Sequence, residues 1–99
     1  MEEVVYYNKL YDMYGELLTD TQKKYFEDYY FNNLSYSEMS EAYGVSRNAI
    51  FKQLKFVTNK LIEYEDKLKL LDKINKISKI ISSKISKEEM DKINQIFNS

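Results

Sequence analysis

The chain has 99 residues, a formal net charge of −1, no cysteine, no histidine, no proline and only two glycines. A core can form at this length without disulfides or metal, but the missing ligands and bases exclude zinc fingers, thiol nucleophiles and histidine-based catalysis. No glycine-rich phosphate loop organises the remaining carboxylates and lysines, and no apolar run reaches the roughly 20 residues that a membrane-spanning helix needs. These features predict a non-enzymatic protein with no metal and no cofactor, in no contact with a membrane. With an acidic start, Met1-Glu2-Glu3, where a secretory signal would be basic, its expected location is the cytoplasm.

Hydrophobic spacing predicts helices nearly throughout and no strands, hence an all-α fold. The first helix is expected from about Glu3 to Leu17, burying Val4, Tyr7, Leu10, Tyr11, Tyr14 and Leu17 at intervals of three and four, with Gly15 weakening its end. Thr19 and Gln22 have the spacing of a capping box and open a second helix that carries Tyr25, Phe26, Tyr29 and Tyr30 up to Asn32-Asn33. Ser35-Tyr36-Ser37-Glu38 repeats the box, so a short third helix should begin near Tyr36, with Met39, Ala42 and Tyr43 on one face. Gly44 supplies a left-handed end, Val45 is expected to plug the corner, and Ser46 caps a fourth helix beginning at Arg47. Residues 35–56 thus read as a helix-turn-helix.

The fourth helix is predicted to run on. Ile50, Leu54, Val57, Leu61, Tyr64, Leu68 and Leu71 alternate at four and three, the heptad spacing of a narrow buried seam. From Arg47 to Asp72 that is a rod of roughly 39 Å at about 1.5 Å per residue. Ile74, Ile77, Ile80, Ile81 and Ile85 extend the stripe past a weak point at Ser82-Ser83, and Ser86 with Glu89 forms a third capping box before a last helix bearing Met90, Ile93, Ile96 and Phe97. The expected organisation is a helical domain over 1–60 and a helical extension over 61–99 that serves as a candidate dimerisation region.

Charge is unevenly spread. Residues 1–34 hold seven acids and three lysines, residues 35–60 two acids and four bases, and residues 61–99 seven acids and eight lysines. Between Ser46 and Lys60 there is no acid, while Arg47, the only arginine, is joined by Lys52, Lys55 and Lys60. Such a local positive field beside an acidic N-terminal third can orient a molecule on a polyanion.

A major groove admits an α-helix, and the first turns of the second helix in this motif present side chains to base edges. If Val45, Ile50 and Leu54 face the core, then Arg47, Asn48, Phe51, Lys52 and Lys55 lie opposite. Arginine pairs with guanine, asparagine with adenine, and Phe51 can touch a thymine methyl, with Lys52 and Lys55 suited to phosphates. Ser35, Ser37 and Ser46 mark helix starts where backbone amides can hold a phosphate. The alternatives are ordinary: lysines on a solvated face, and Phe51 and Phe56 packed on neighbouring helices or on a second subunit. The seam Val57, Leu61, Tyr64, Leu68 and Leu71 either lies against the first two helices or pairs with a second copy, and its length favours a homodimer.

Leu18-Thr19-Asp20-Thr21-Gln22-Lys23, Tyr29-Tyr30, Leu34-Ser35-Tyr36-Ser37-Glu38-Met39 and Gly44-Val45-Ser46-Arg47-Asn48-Ala49-Ile50 resemble the YlxM-like proteins of low-GC Gram-positive bacteria and mollicutes, whose helix-turn-helix is similar to region 4 of bacterial sigma factors. Lys60 to Leu68 resembles that family's continuation, so the likeness spans roughly residues 1–75. The resemblance implies an all-helical, sigma region 4-like DNA-binding protein with a part in regulating the signal recognition particle pathway, because the family's gene tends to sit beside that of the particle's GTPase. It places DNA contacts at Arg47, Asn48, Phe51 and Lys52. A second reading from the same resemblance is a protein-interaction module for the particle's GTPase or its RNA. Basic residues before the fourth helix are few, only Lys9, Lys23 and Lys24, so the expectation is modest, strongly salt-dependent affinity for double-stranded DNA.

Overall fold

A computed structural model describes the backbone of residues 2–98 and the side chains of residues 3–96; the expected packing of Phe97 lies outside the described residues. Six helices follow in order: α1 (Glu2–Tyr14), α2 (Asp20–Tyr30), α3 (Tyr36–Tyr43), α4 (Arg47–Leu68), α5 (Leu70–Ile81) and α6 (Lys87–Asn98), with a 3-10 turn, Gly15–Leu17, between α1 and α2. The fold is all-α, with no strand among the described residues. None of these helices is long and apolar enough to cross a membrane.

All three capping boxes form. The Thr19 hydroxyl accepts from the Gln22 amide at 3.2 Å while the Gln22 side chain accepts from the Thr19 amide at 2.9 Å. The boxes at Ser35/Glu38 and Ser86/Glu89 do the same. Each satisfies amides that a helix start leaves without partners.

α4 is the spine of the molecule because its apolar face is continuously buried from Ile50 to Leu61, about three turns. Its N-terminal half packs Ile50 and Leu54 with Tyr25 of α2 and Met39 of α3, and its C-terminal half packs Val57 and Leu61 with Leu10, Tyr14, Leu18 and Phe26. Stacked rings join the layers, Tyr11 on Phe26 at 4.4 Å and Tyr25 on Tyr43 at 4.5 Å between centroids. The hydroxyls reach carboxylates at the rim, with Tyr11 donating to Glu27 and Tyr43 to Asp28. That arrangement buries the ring and keeps the polar tip satisfied.

Three expectations are corrected. Val4 and Leu17 are exposed, and Leu18 is buried in place of Leu17, because the chain tightens into a 3-10 turn at Gly15 that shifts the apolar face by one residue. Gly15 is required there by close approach, since a Cβ would stand 3.2 Å from the Tyr11 ring. The heptad seam is internal: Val57 and Leu61 are fully buried against α1 and α2, Tyr64 and Leu71 pack on the same cluster, and only Leu68 stays exposed. A residue with no exposed surface in one chain has nothing to offer a second copy.

The third correction is the rod. α4 stops at Leu68, and Lys69 adopts a left-handed φ of 55° before α5 begins. The cause is Glu65, a carboxylate only 9% exposed. Its Oε1 accepts from the Tyr14 hydroxyl at 2.6 Å and the Leu71 amide at 3.1 Å, its Oε2 accepts from the Asp72 amide at 3.1 Å, and the Tyr14 oxygen accepts from the Leu70 amide at 3.1 Å. The first amides of α5 are therefore satisfied by side chains where an unbroken helix would use its own carbonyls. The bend directs α5 away from the line of α4, and α6 returns beside it, Asn94 lining a groove with Lys9, Asp12, Met13, Leu71, Ile74 and Asn75. The result is elongated, 52 × 26 × 24 Å with a radius of gyration of 16.1 Å, against about 13 Å for a compact chain of this length.

Removing the Glu65 carboxylate orphans buried amides and a hydroxyl together, so Glu65→Ala should lower unfolding free energy by about 2–4 kcal/mol in urea titrations followed by circular dichroism. Burial pushes Tyr14 and Tyr30 up to about 12, helped in Tyr14 by its bond to Glu65. Burial likewise raises Tyr11 and Tyr43, helped by their carboxylate partners. A hydroxyl raised above its ordinary value near 10 contributes stability that is complete below that value and is lost as pH climbs through the folded value. Alkaline titration should therefore show Tyr14 and Tyr30 ionising near pH 12 or together with unfolding, visible as late tyrosinate absorbance coincident with loss of helix signal.

Candidate nucleic-acid interface

α3 and α4 meet at a corner built by local chemistry. Ser35 caps α3, and the bonds from Ser35 hold the Glu38 carboxyl below its usual range. Gly44 ends α3 at φ 67°, a left-handed conformation natural to glycine, and its amide donates to the Ser40 carbonyl at 2.9 Å. The Val45 amide bonds to the same carbonyl at 3.3 Å, and the Ser40 hydroxyl donates back to the Val45 carbonyl. Ser46 then caps α4 by accepting from the Ala49 amide at 3.0 Å.

Val45 does not plug this corner. It is 38% exposed, and Met39 and Ile50, both fully buried, fill the angle between the helices. Ser40 does the stitching, a role that sequence reasoning passed over because a serine inside a helix pattern gives no signal until the turn brings a carbonyl to it. Ala42, expected on the inner face of α3, is exposed, whereas Met39 and half-buried Tyr43 face inward.

The candidate residues Ser35, Ser37, Ser46, Arg47, Asn48, Phe51, Lys52 and Lys55 are all exposed. They surround the corner and the first turns of α4, while Ile50, Leu54, Val57 and Thr58 hold the opposite side in the core. The Arg47 guanidinium reaches back across the turn and donates to the Ser37 hydroxyl at 3.4 Å, joining the starts of the two helices. Phe51 stays 45% exposed although its ring meets Tyr36 edge-on at 6.2 Å, so it both packs and presents a surface. With Lys55 it borders a hollow of about 270 Å³ whose walls include Tyr7, Tyr30 and Tyr36.

Lys60, expected alongside the other cations, is half-buried over the Tyr64 ring at 5.6 Å and so is turned toward the far half of α4. Two side chains omitted from the candidate site share its face: Phe56, which is 53% exposed and makes no ring contact among the described residues, and exposed Asn59. Both follow Lys52 and Lys55 at spacings of four, a signal present in the helical period itself.

A capped short helix, a left-handed glycine turn and a second capped helix with a bare outer face define a helix-turn-helix protein. The comparisons agree. Residues 1–98 match the family model described as "Putative helix-turn-helix protein, YlxM / p13 like". A UPF0122 protein of Halalkalibacterium halodurans is 39% identical over 92 residues, covering 93% of this chain and 83% of that one. A UPF0122 protein of Caldanaerobacter subterraneus is 40% identical over 80 residues, covering 81% and 68%. The chain belongs to the UPF0122, YlxM / p13-like family.

A Cβ added at Gly44 meets nothing within 4 Å, so the cost of a side chain there is purely one of backbone conformation. Gly44→Ala should destabilise the protein by about 1–2 kcal/mol, and Gly44→Asn by less, in thermal or urea unfolding.

Proposed function

We propose that this protein is a non-enzymatic, cytoplasmic regulator that lays the start of α4 in the major groove of double-stranded DNA. The observation that carries this reading is the pairing of exposure with charge: Arg47, Asn48, Lys52 and Lys55 stand on a bare helix face in a stretch without a single acid. Asn48 and Phe51 suit base edges, and Lys52 and Lys55 suit phosphates. Arg47 bridges to Ser37, close to the start of α3, where an exposed serine and helix amides can share a phosphate with it. The functional unit is a homodimer, each chain presenting one α4 to a half-site. The gene neighbourhood that the resemblance implies supports a part for this regulator in the signal recognition particle pathway.

Exposed Phe51 and Phe56 favour a second reading, in which the same surface binds the particle's GTPase or its RNA. The two separate in one experiment. Duplexes selected from a random library are titrated by fluorescence anisotropy over a range of salt, with wild type and with Arg47→Ala/Lys52→Ala. Duplex readout predicts selection of a defined sequence, and loss of about two counterions from the salt slope in the double variant. Selection of no sequence, or an unchanged slope, overturns it in favour of the interaction module.

A further inference from the structure

We infer that the hollow behind Phe51 binds a small aromatic zwitterion, a free molecule of the chemical class of the aromatic α-amino acids. The inference stands apart from the DNA reading, because it concerns what occupies the hollow and not what meets the outer face of α4.

Each of the first four helices contributes to the wall: Tyr7 from α1, Tyr30 from α2, Tyr36 from α3 and Phe51 from α4 enclose about 270 Å³. That volume suits a guest smaller than a drug, and a mostly apolar lining with a few polar groups is the usual form of a small-ligand site. Buried Leu54 and Thr58 make the floor. The Thr58 hydroxyl already donates to the Lys55 carbonyl at 3.1 Å, so the floor offers only apolar surface. Tyr7 meets Tyr30 edge-on at 5.9 Å and 70°, and Tyr36 meets Phe51 edge-on at 6.2 Å and 69°. Rings crossed in this way present π faces and edges to a further ring, and their faces also attract an ammonium group.

Charge narrows the guest. Among the described residues the hollow is lined by one carboxylate, Glu3 of α1, and one ammonium, Lys55 of α4. Neither forms an ion pair there, with the other or with any third group. Glu3 stands near the rings, since after burial and the neighbouring tyrosines it is a further cause of the raised Tyr30 hydroxyl. A plain anion is repelled by Glu3 and a plain cation by Lys55, while an aliphatic zwitterion leaves the four rings unused. A guest with a ring, an ammonium and a carboxylate uses all three features. Phe51 and Lys55 also belong to the face proposed to meet DNA, so an occupied hollow competes for them.

Two-dimensional amide NMR on the full chain without DNA tests this, with L-phenylalanine as the probe. Its titration should move the amides of Tyr7, Tyr36, Phe51 and Lys55 and saturate with a dissociation constant below about 1 mM. Phenethylamine, which lacks the carboxylate, and hydrocinnamate, which lacks the ammonium, should each bind about three- to tenfold more weakly. Lys55→Gln should abolish the preference for phenylalanine over phenethylamine, and Glu3→Gln the preference over hydrocinnamate. Both positions are exposed, so the fold is kept. Absence of a saturable shift below about 10 mM, or shifts confined to other residues, overturns the site. Preferences that survive the two variants overturn the assigned charges. No duplex enters the experiment, so either result leaves the DNA reading to its own titration.

Discussion

Burial of one face of α4 is the constraint on which the rest of the structure depends. Ile50, Leu54, Val57 and Leu61 are in the core through both of its layers, so α1, α2 and α3 all take their positions from a single helix. Once that face is committed inward, the opposite one has to look outward, and Arg47, Asn48, Lys52 and Lys55 are the side chains left there. Packing energy thus decides which residues are available for recognition, although none of them contributes to the packing. The coupling is geometric: at 3.6 residues per turn, a stripe of large aliphatic residues on one side fixes the identity of the other.

The same helix shows how a buried charge can shape a fold. Glu65 sits where the heptad pattern would allow an unbroken rod, and a carboxylate out of water needs partners. It takes them from Tyr14 and from the first amides of α5, which costs the helix its continuity and turns the chain at Lys69. Charge-assisted bonds of this kind are about twice as strong as neutral ones. They make the corner a fixed joint rather than a flexible linker. The consequence reaches the far end of the molecule, because the direction in which α5 displays Leu70, Ile77 and Ile80 is set at this joint.

The aromatic residues work on a third scale. Tyr11, Tyr14 and Tyr43 each place a ring in or beside the core and a hydroxyl on a carboxylate, which comes from Glu27 and Asp28 of the N-terminal third for Tyr11 and Tyr43 and from Glu65 for Tyr14. Those carboxylates keep their charge, and the face of α4 is positive because residues 46–60 contain no acid of their own. A chain of nearly neutral total charge can in this way keep one local field of positive sign.

Local chemistry was legible in the sequence. The capping boxes at Thr19, Ser35 and Ser86, the left-handed Gly44 and the Ser46 cap all follow from interactions spanning a few positions, which a linear pattern records. Membership in the family was legible for the same reason, since the motif residues lie close together along the chain. What only the tertiary structure decided involves partners far apart. The bond from Tyr14 to Glu65 crosses fifty-one positions, and nothing in the heptad spacing reveals that a carboxylate will interrupt it. The spacing likewise states that Val57 and Leu61 are buried but not by what, because apolar surface is indifferent to whether its cover comes from the same chain or another. Only the packed arrangement assigns that cover to α1 and α2.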